Sequence, residues 1–251
     1  MLRFFRQIRH RLLTDNKFSR YLLYAVGEIL LVVIGILIAL QVDNWNEYRK
    51  DRLDEKDFLT RLKVDLEIDN QYFKRRIQDA ELKLSSYTNF ARILNQQQRP
   101  FAEVDSLNKL FSEFFSSEMV TTQNSTFSEM LYSGKLELIT DADLKFDLLF
   151  YYRRNEEISK HIAEYNLFTV DVLKILMEKV PKYFGAKSIS ESDSEFEKEF
   201  GYLNDPSSDQ FHYISQSASA YGSKHYTSLE YFRELETLSH ELIQTIENDI
   251  R

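Results

Sequence analysis

Residues Tyr21–Val42 read YLLYAVGEILLVVIGILIALQV. Fourteen of these 22 positions are Leu, Ile or Val, and Glu28 is the only charge. As a helix the stretch spans about 33 Å, against a hydrocarbon core of roughly 30 Å. Its aliphatic side chains favour insertion by on the order of 6 kcal/mol, and one carboxyl near the middle costs about 3 kcal/mol. The stretch therefore predicts a transmembrane helix over residues 18–42 that carries its Glu without help. The core helix of a soluble protein and a cleaved signal peptide are the competing readings. Against the second, the segment is long and runs into ALQVDNWNEYRK, which has no small-x-small cleavage site.

The flanks orient the span. Ahead of it, Arg3, Arg6, Arg9, Arg11, Lys17 and Arg20 face a single acid, Asp15, for a net +5 over residues 1–20. Leu2, Phe5, Ile8 and Leu12 recur at helical spacing between the arginines, which predicts a basic amphipathic head over residues 1–17 lying on an anionic leaflet. After the span comes the acidic and amide-rich DNWNE. The positive-inside rule then places the N-terminus in the cytoplasm and residues 43–251 across the membrane, in the periplasm of a bacterial inner membrane. Arg3, Arg6, Arg9, Arg11, Arg20, Tyr21, Trp45 and Tyr48 are the expected membrane-interface anchors.

Working outward, residues 43–251 read as an all-α domain. The 251-residue chain holds only 6 Gly and 3 Pro, and none falls between Gly35 and Pro100. Leu59, Leu62, Leu66, Phe73, Ile77, Ala80, Leu84, Tyr87, Ala91 and Leu94 advance in steps of three and four, broken once at Asp69. This predicts one long helix over 43–97, continuous with the span, as a coiled-coil stalk or the first helix of a bundle. Further helices are expected at about 104–118, 127–133, 141–180 and 227–250, with an acidic loop at about 186–226. Thr126 with Glu129, and Thr227 with Glu230, have capping-box spacing. Thr140 is the expected cap of the 141–180 helix, and Gly134 a left-handed helix stop.

Composition excludes several chemistries. With no cysteine, the chain has no disulfide, thiolate metal site or Cys nucleophile. From Asp43 onward it holds 26 basic and 38 acidic residues, a net −12 that repels nucleic-acid phosphates. No two of the five His are spaced i, i+4, and there is no Gly-rich phosphate loop or G-x-S-x-G elbow. Asp141, Asp143 and Asp147 suggest a calcium loop, but the sixth position, where an EF-hand needs Gly, is Phe146. These acids read instead as a helix N-terminus. The expectation is a non-enzymatic chain with no catalytic residue, cofactor or metal.

The stretch NKFSRYLLYAVGEILLVVIGILIALQVDNWNE (Asn16–Glu47) resembles a family of single-span inner-membrane proteins of Gram-negative bacteria, known as a domain of unknown function. SGKLELI (Ser133–Ile139) is similar too, less specifically. The resemblance implies membrane anchoring and places Gly27, Glu28 and Asn44–Asn46 in the shared motif. It implies no activity.

The span itself holds the one functional candidate. Gly27, Leu31, Gly35 and Ala39 form a stripe of mostly small residues, which lets a second helix approach closely, and Glu28 lies beside it. The expected partners are the lipid bilayer and either a second copy of the chain or another membrane protein. A periplasmic scaffold within an inner-membrane complex is the leading reading. One alternative is a proton-driven accessory subunit using Glu28. The other is a periplasmic ligand sensor, whose helices should enclose a pocket with converging polar groups.

Overall fold

The computed structural model describes residues 18–96, 101–180 and 200–250. The basic head and the acidic stretch at 186–199 lie outside them. Every regular element among the described residues is helical. These are α1 (Phe18–Leu94), α2 (Phe101–Phe114), α3 (Ser125–Ser133), α4 (Ala142–Lys179) and α5 (Asp209–Ile250), with 3-10 turns at Lys135–Leu138 and Gly201–Asn204. The chain divides into two compact units, Met1–Asp57 and Phe58–Arg251.

In the first unit, α1 is apolar all round from Ile29 to Leu40 and every side chain there is exposed. Leu31, for example, is 70% exposed. This stretch is long and apolar enough to cross a membrane, and none of it is buried within the chain.

In the second unit, four legs run alternately up and down. Side-chain pairs fix their directions. Lys63 meets Glu247 at 2.7 Å, Asn70 meets Ser239 at 3.0 Å and Arg233 meets Glu81 at 2.8 Å, so α5 descends along α1. Arg154 meets Glu234 at 2.6 Å and Tyr221 reaches the Thr169 carbonyl at 3.3 Å, so α5 is antiparallel to α4 as well. The remaining leg returns along α1 and is broken. Ser86 bonds Glu113 of α2 at 2.6 Å, Gln123 N–H bonds Asp69 at 2.8 Å, and Arg61 pairs with Glu129 of α3. Between α2 and α3 the chain leaves the helix over residues 115–124.

Two apolar clusters fill this unit. One gathers Leu59, Leu62, Leu66 and Phe73 of α1 with Phe127, Met130, Leu148, Ile158, Phe232 and Leu242. The other gathers Phe90, Phe111, Phe114, Leu176, Phe211 and Ile214.

Several helix bounds differ from the sequence reading. The last helix begins at Asp209, not 227, because Ile214, Ala218, Tyr221, His225, Ser228, Phe232, Leu235, Ser239, Leu242 and Ile246 form one unbroken buried stripe. Polar members hid its first half, and Thr227–Glu230 lies mid-helix. Ser208 starts the helix, its hydroxyl accepting from Phe211 N–H at 3.2 Å. Asp141, not Thr140, caps α4, accepting from Asp143 N–H at 2.9 Å and Leu144 N–H at 3.1 Å. Thr126 lies inside α3, its N–H turned to Asp65 at 3.4 Å. Gly134 does stop α3 in the left-handed region, at φ 71°.

Candidate functional site

Three places hold candidate functional side chains. The first is the exposed face of α1. Gly27, Glu28, Leu31, Gly35 and Ala39 lie on one continuous helix, and a Cβ added at Gly27 or Gly35 would meet nothing within 4 Å. Glu28 and Gly35 are seven residues apart, so they share a face with an offset of about 20°. Trp45 and Tyr48 are exposed beyond the apolar stretch, and the Arg52 guanidinium sits 5.4 Å from the Tyr48 ring centroid. Arg3, Arg6, Arg9 and Arg11 lie outside the described residues, as do the side chains of Arg20 and Tyr21.

The second is a buried ionic network in the four-legged unit. His225 Nδ1 lies 2.7 Å from Glu118 Oε1, and Nε2 lies 2.5 Å from the Phe114 carbonyl. Both ring nitrogens thus face an oxygen, one of a carboxylate and one of a backbone carbonyl. Lys83 stands 3.6 Å from the same carboxylate. Burial alone would raise the Glu118 pKa; hydrogen bonds from His225 and Ser228 and the nearby cations outweigh it, holding the carboxyl at about 2. Lys224 donates to the Ser116 carbonyl and sits 4.7 Å from the Tyr221 ring centroid. Burial lowers its pKa to about 8.

Nearby, Asp69 accepts from Gln123 N–H at 2.8 Å and from the Tyr151 hydroxyl at 2.9 Å. It is 1% exposed. Burial, against these two hydrogen bonds, raises its pKa to about 6.

Perturbed acids and bases often mark catalysis, but here most of their polar atoms are engaged by one segment. The break at 115–124 leaves backbone groups without helical partners. The Phe114 and Ser116 carbonyls go to His225 and Lys224. Glu118 N–H goes to Asn166 at 3.2 Å, Asn166 returns a bond to the Glu118 carbonyl, and Tyr72 takes the Met119 carbonyl. Gln123 and Thr126 N–H groups go to Asp69 and Asp65. The network is a latch for an irregular strip of chain that crosses the core. In the sequence, its only trace is the interruption of the apolar stripe at Asp69.

The third place is a cleft beside that strip. It has a volume of about 650 Å³ and lies between residues 122–124, α3 and the 149–160 stretch of α4. The Phe127 and Tyr152 rings stack in its wall, centroids 4.0 Å apart and 13° from parallel. Leu131, Leu149 and Tyr132 add apolar surface; Thr122, Ser128 and Ser159 add hydroxyls. Asn155 is 4% exposed, and its side chain offers a hydrogen bond to the Tyr151 hydroxyl. The Tyr152 hydroxyl has no hydrogen-bond partner among the described residues. The sequence reading named none of these residues. The cleft exists because the return leg departs from a helix, which no local pattern announces.

An all-helical protein in which, among the described residues, one helix is long and apolar enough to span a membrane is the class these observations define. Within it, the chain belongs to the family of unknown function DUF6090, whose pattern it matches over residues 28–193. That match starts at Glu28 and takes in the broken leg and every residue lining the cleft. No curated protein and no solved structure matches the chain.

Proposed function

We propose that this chain is a non-enzymatic interaction protein of a Gram-negative inner membrane. Residues 18–42 anchor it, its N-terminus is cytoplasmic, and residues 43–251 form a periplasmic helical domain. It assembles with a second copy or another membrane protein through Gly27, Glu28, Leu31, Gly35 and Ala39. The observation that carries this reading is the bare apolar stretch of α1, on which Glu28 shares a face with Gly35. Small residues admit a second helix, and a carboxyl within lipid gains from a hydrogen-bonding partner there. The buried ionic network, taken up by the broken leg, supports the non-enzymatic part.

The test uses the absence of cysteine from the chain. A single cysteine introduced at Asn46 in the full-length protein, expressed in membranes, reports self-association by disulfide crosslinking. Photo-crosslinking at the same position reports other partners. Glu28→Leu and Gly35→Ile are expected to abolish the crosslinks, and unchanged crosslinks in both variants would sink the assembly role.

A second reading, a ligand sensor, is favoured by the cleft, whose volume falls within the range of small-molecule sites. In it the periplasmic domain takes up a ligand and a membrane partner carries the response.

A further inference from the structure

We infer that the cleft binds a carboxylate joined to an apolar or aromatic body; this rests on the ligand-sensor reading and names its ligand class. Three features of the lining point there. First, the cleft has a surplus of donors. Arg153 makes no ion pair among the described residues, whereas its neighbour Arg154 is held by Glu234 and Glu157. The Tyr152 hydroxyl, in the cleft wall, also has no partner among the described residues. A guanidinium and a phenol O–H both donate to an acceptor-only group, and Arg binds carboxylates through two parallel bonds.

Second, the acid in the lining is already engaged. Glu156 pairs with Lys160 at 2.7 Å, cancelling the second cation. One free positive charge beside a neutralised pair matches a monoanion. A phosphate dianion would face Glu156 with one cation too few.

Third, the rest of the wall is aromatic and aliphatic. The Phe127–Tyr152 stack and Leu149 offer a flat apolar face, and Tyr132, 88% exposed, stands at the edge. An aromatic side chain beside a carboxylate covers both surfaces.

The test titrates the full-length chain in lipid nanodiscs with N-acetyl-phenylalanine and, separately, with its neutral amide, N-acetyl-phenylalaninamide. Binding is followed by calorimetry, with empty nanodiscs subtracted. The acid should bind and the amide should bind at least about tenfold more weakly, the scale of a lost charge-assisted hydrogen bond. Arg153→Gln, a surface change, should weaken the acid by about tenfold or more while leaving the amide unchanged. Tyr152→Phe should weaken the acid as well. Its thermal midpoint, compared with that of the parent, separates lost binding from lost folding, and Arg153→Gln carries the test if it does not fold. Equal binding of acid and amide, indifferent to Arg153→Gln, overturns the carboxylate and leaves the ligand-sensor reading standing. No heat from either probe overturns both.

Discussion

His225 Nδ1 sits 2.7 Å from Glu118 Oε1, and neither side chain reaches solvent. The two residues are far apart in the chain, one on α5 and one on the non-helical strip of the return leg. Their contact fixes that strip to the opposite wall of the core. Removing either member leaves the other buried without its partner, so Glu118→Ala and His225→Ala should each cost roughly 1–3 kcal/mol or more in urea unfolding. The double variant should cost less than the sum. Unshifted urea midpoints in both single variants would remove the latch from the stability of the fold.

The same carboxylate sets an acid limit. Glu118 is held at about 2, below its ordinary 4.5, so the native state binds its proton less readily than the unfolded one. The stability it contributes is complete above pH 4.5 and is lost as pH falls toward 2. In Glu118→Gln, unfolding followed by circular dichroism should lose this segment of the pH dependence.

Asp69 acts with the opposite sign. Its pKa rises from 3.8 to about 6, so its contribution is present below pH 3.8 and lost as pH rises through 6. Asp69→Asn keeps an acceptor for Gln123 N–H without the charge. The variant should gain up to roughly 3 kcal/mol relative to the parent above pH 7, from a shift of about two pKa units, and nothing near pH 3. Parallel urea curves at the two pH values decide it; an equal offset at both contradicts the prediction.

Gly222 of α5 lies against the Tyr87 ring of α1. A Cβ there would lie 2.5 Å from the Tyr87 ring, which itself packs edge-on against Phe114 with centroids 5.8 Å apart. Gly222→Ala should therefore destabilise by about 1–3 kcal/mol despite the better helix propensity of Ala. Tyr87→Leu should recover part of that loss in the double variant, and additive costs would show that the ring is not the obstacle.

Glu28 separates a helix contact from a proton carrier. Glu28→Gln keeps a hydrogen-bonding side chain of the same length and should preserve the crosslinks that Glu28→Leu abolishes. Loss of function in Glu28→Gln with its crosslinks intact would favour the proton-driven alternative.

Much of the helical layout can be read directly from residues. The 3–4 stripe from Leu59 to Leu94 lies within one helix, and Gly134 stops another where its missing side chain permits a positive φ. The missed front of α5 has one cause. Ser217, Lys224 and His225 sit buried there as polar residues. A hydropathy pattern scores them as surface, so the front of α5 looked like loop. Asp69 was visible as a flaw in a stripe, but its partners Gln123 and Tyr151 come from other legs.

The sequence by itself determined that the chain is helical and that it carries one stretch able to cross a membrane. Both are properties of consecutive residues: period, length and the cost of placing side chains in water or lipid. Only the tertiary structure decided that the return leg breaks at 115–124, that buried charges satisfy the backbone it exposes, and that a cleft opens beside it. Those features depend on atoms brought together from distant parts of the chain, where the cost of an unpaired buried group, rather than any local preference, selects the arrangement.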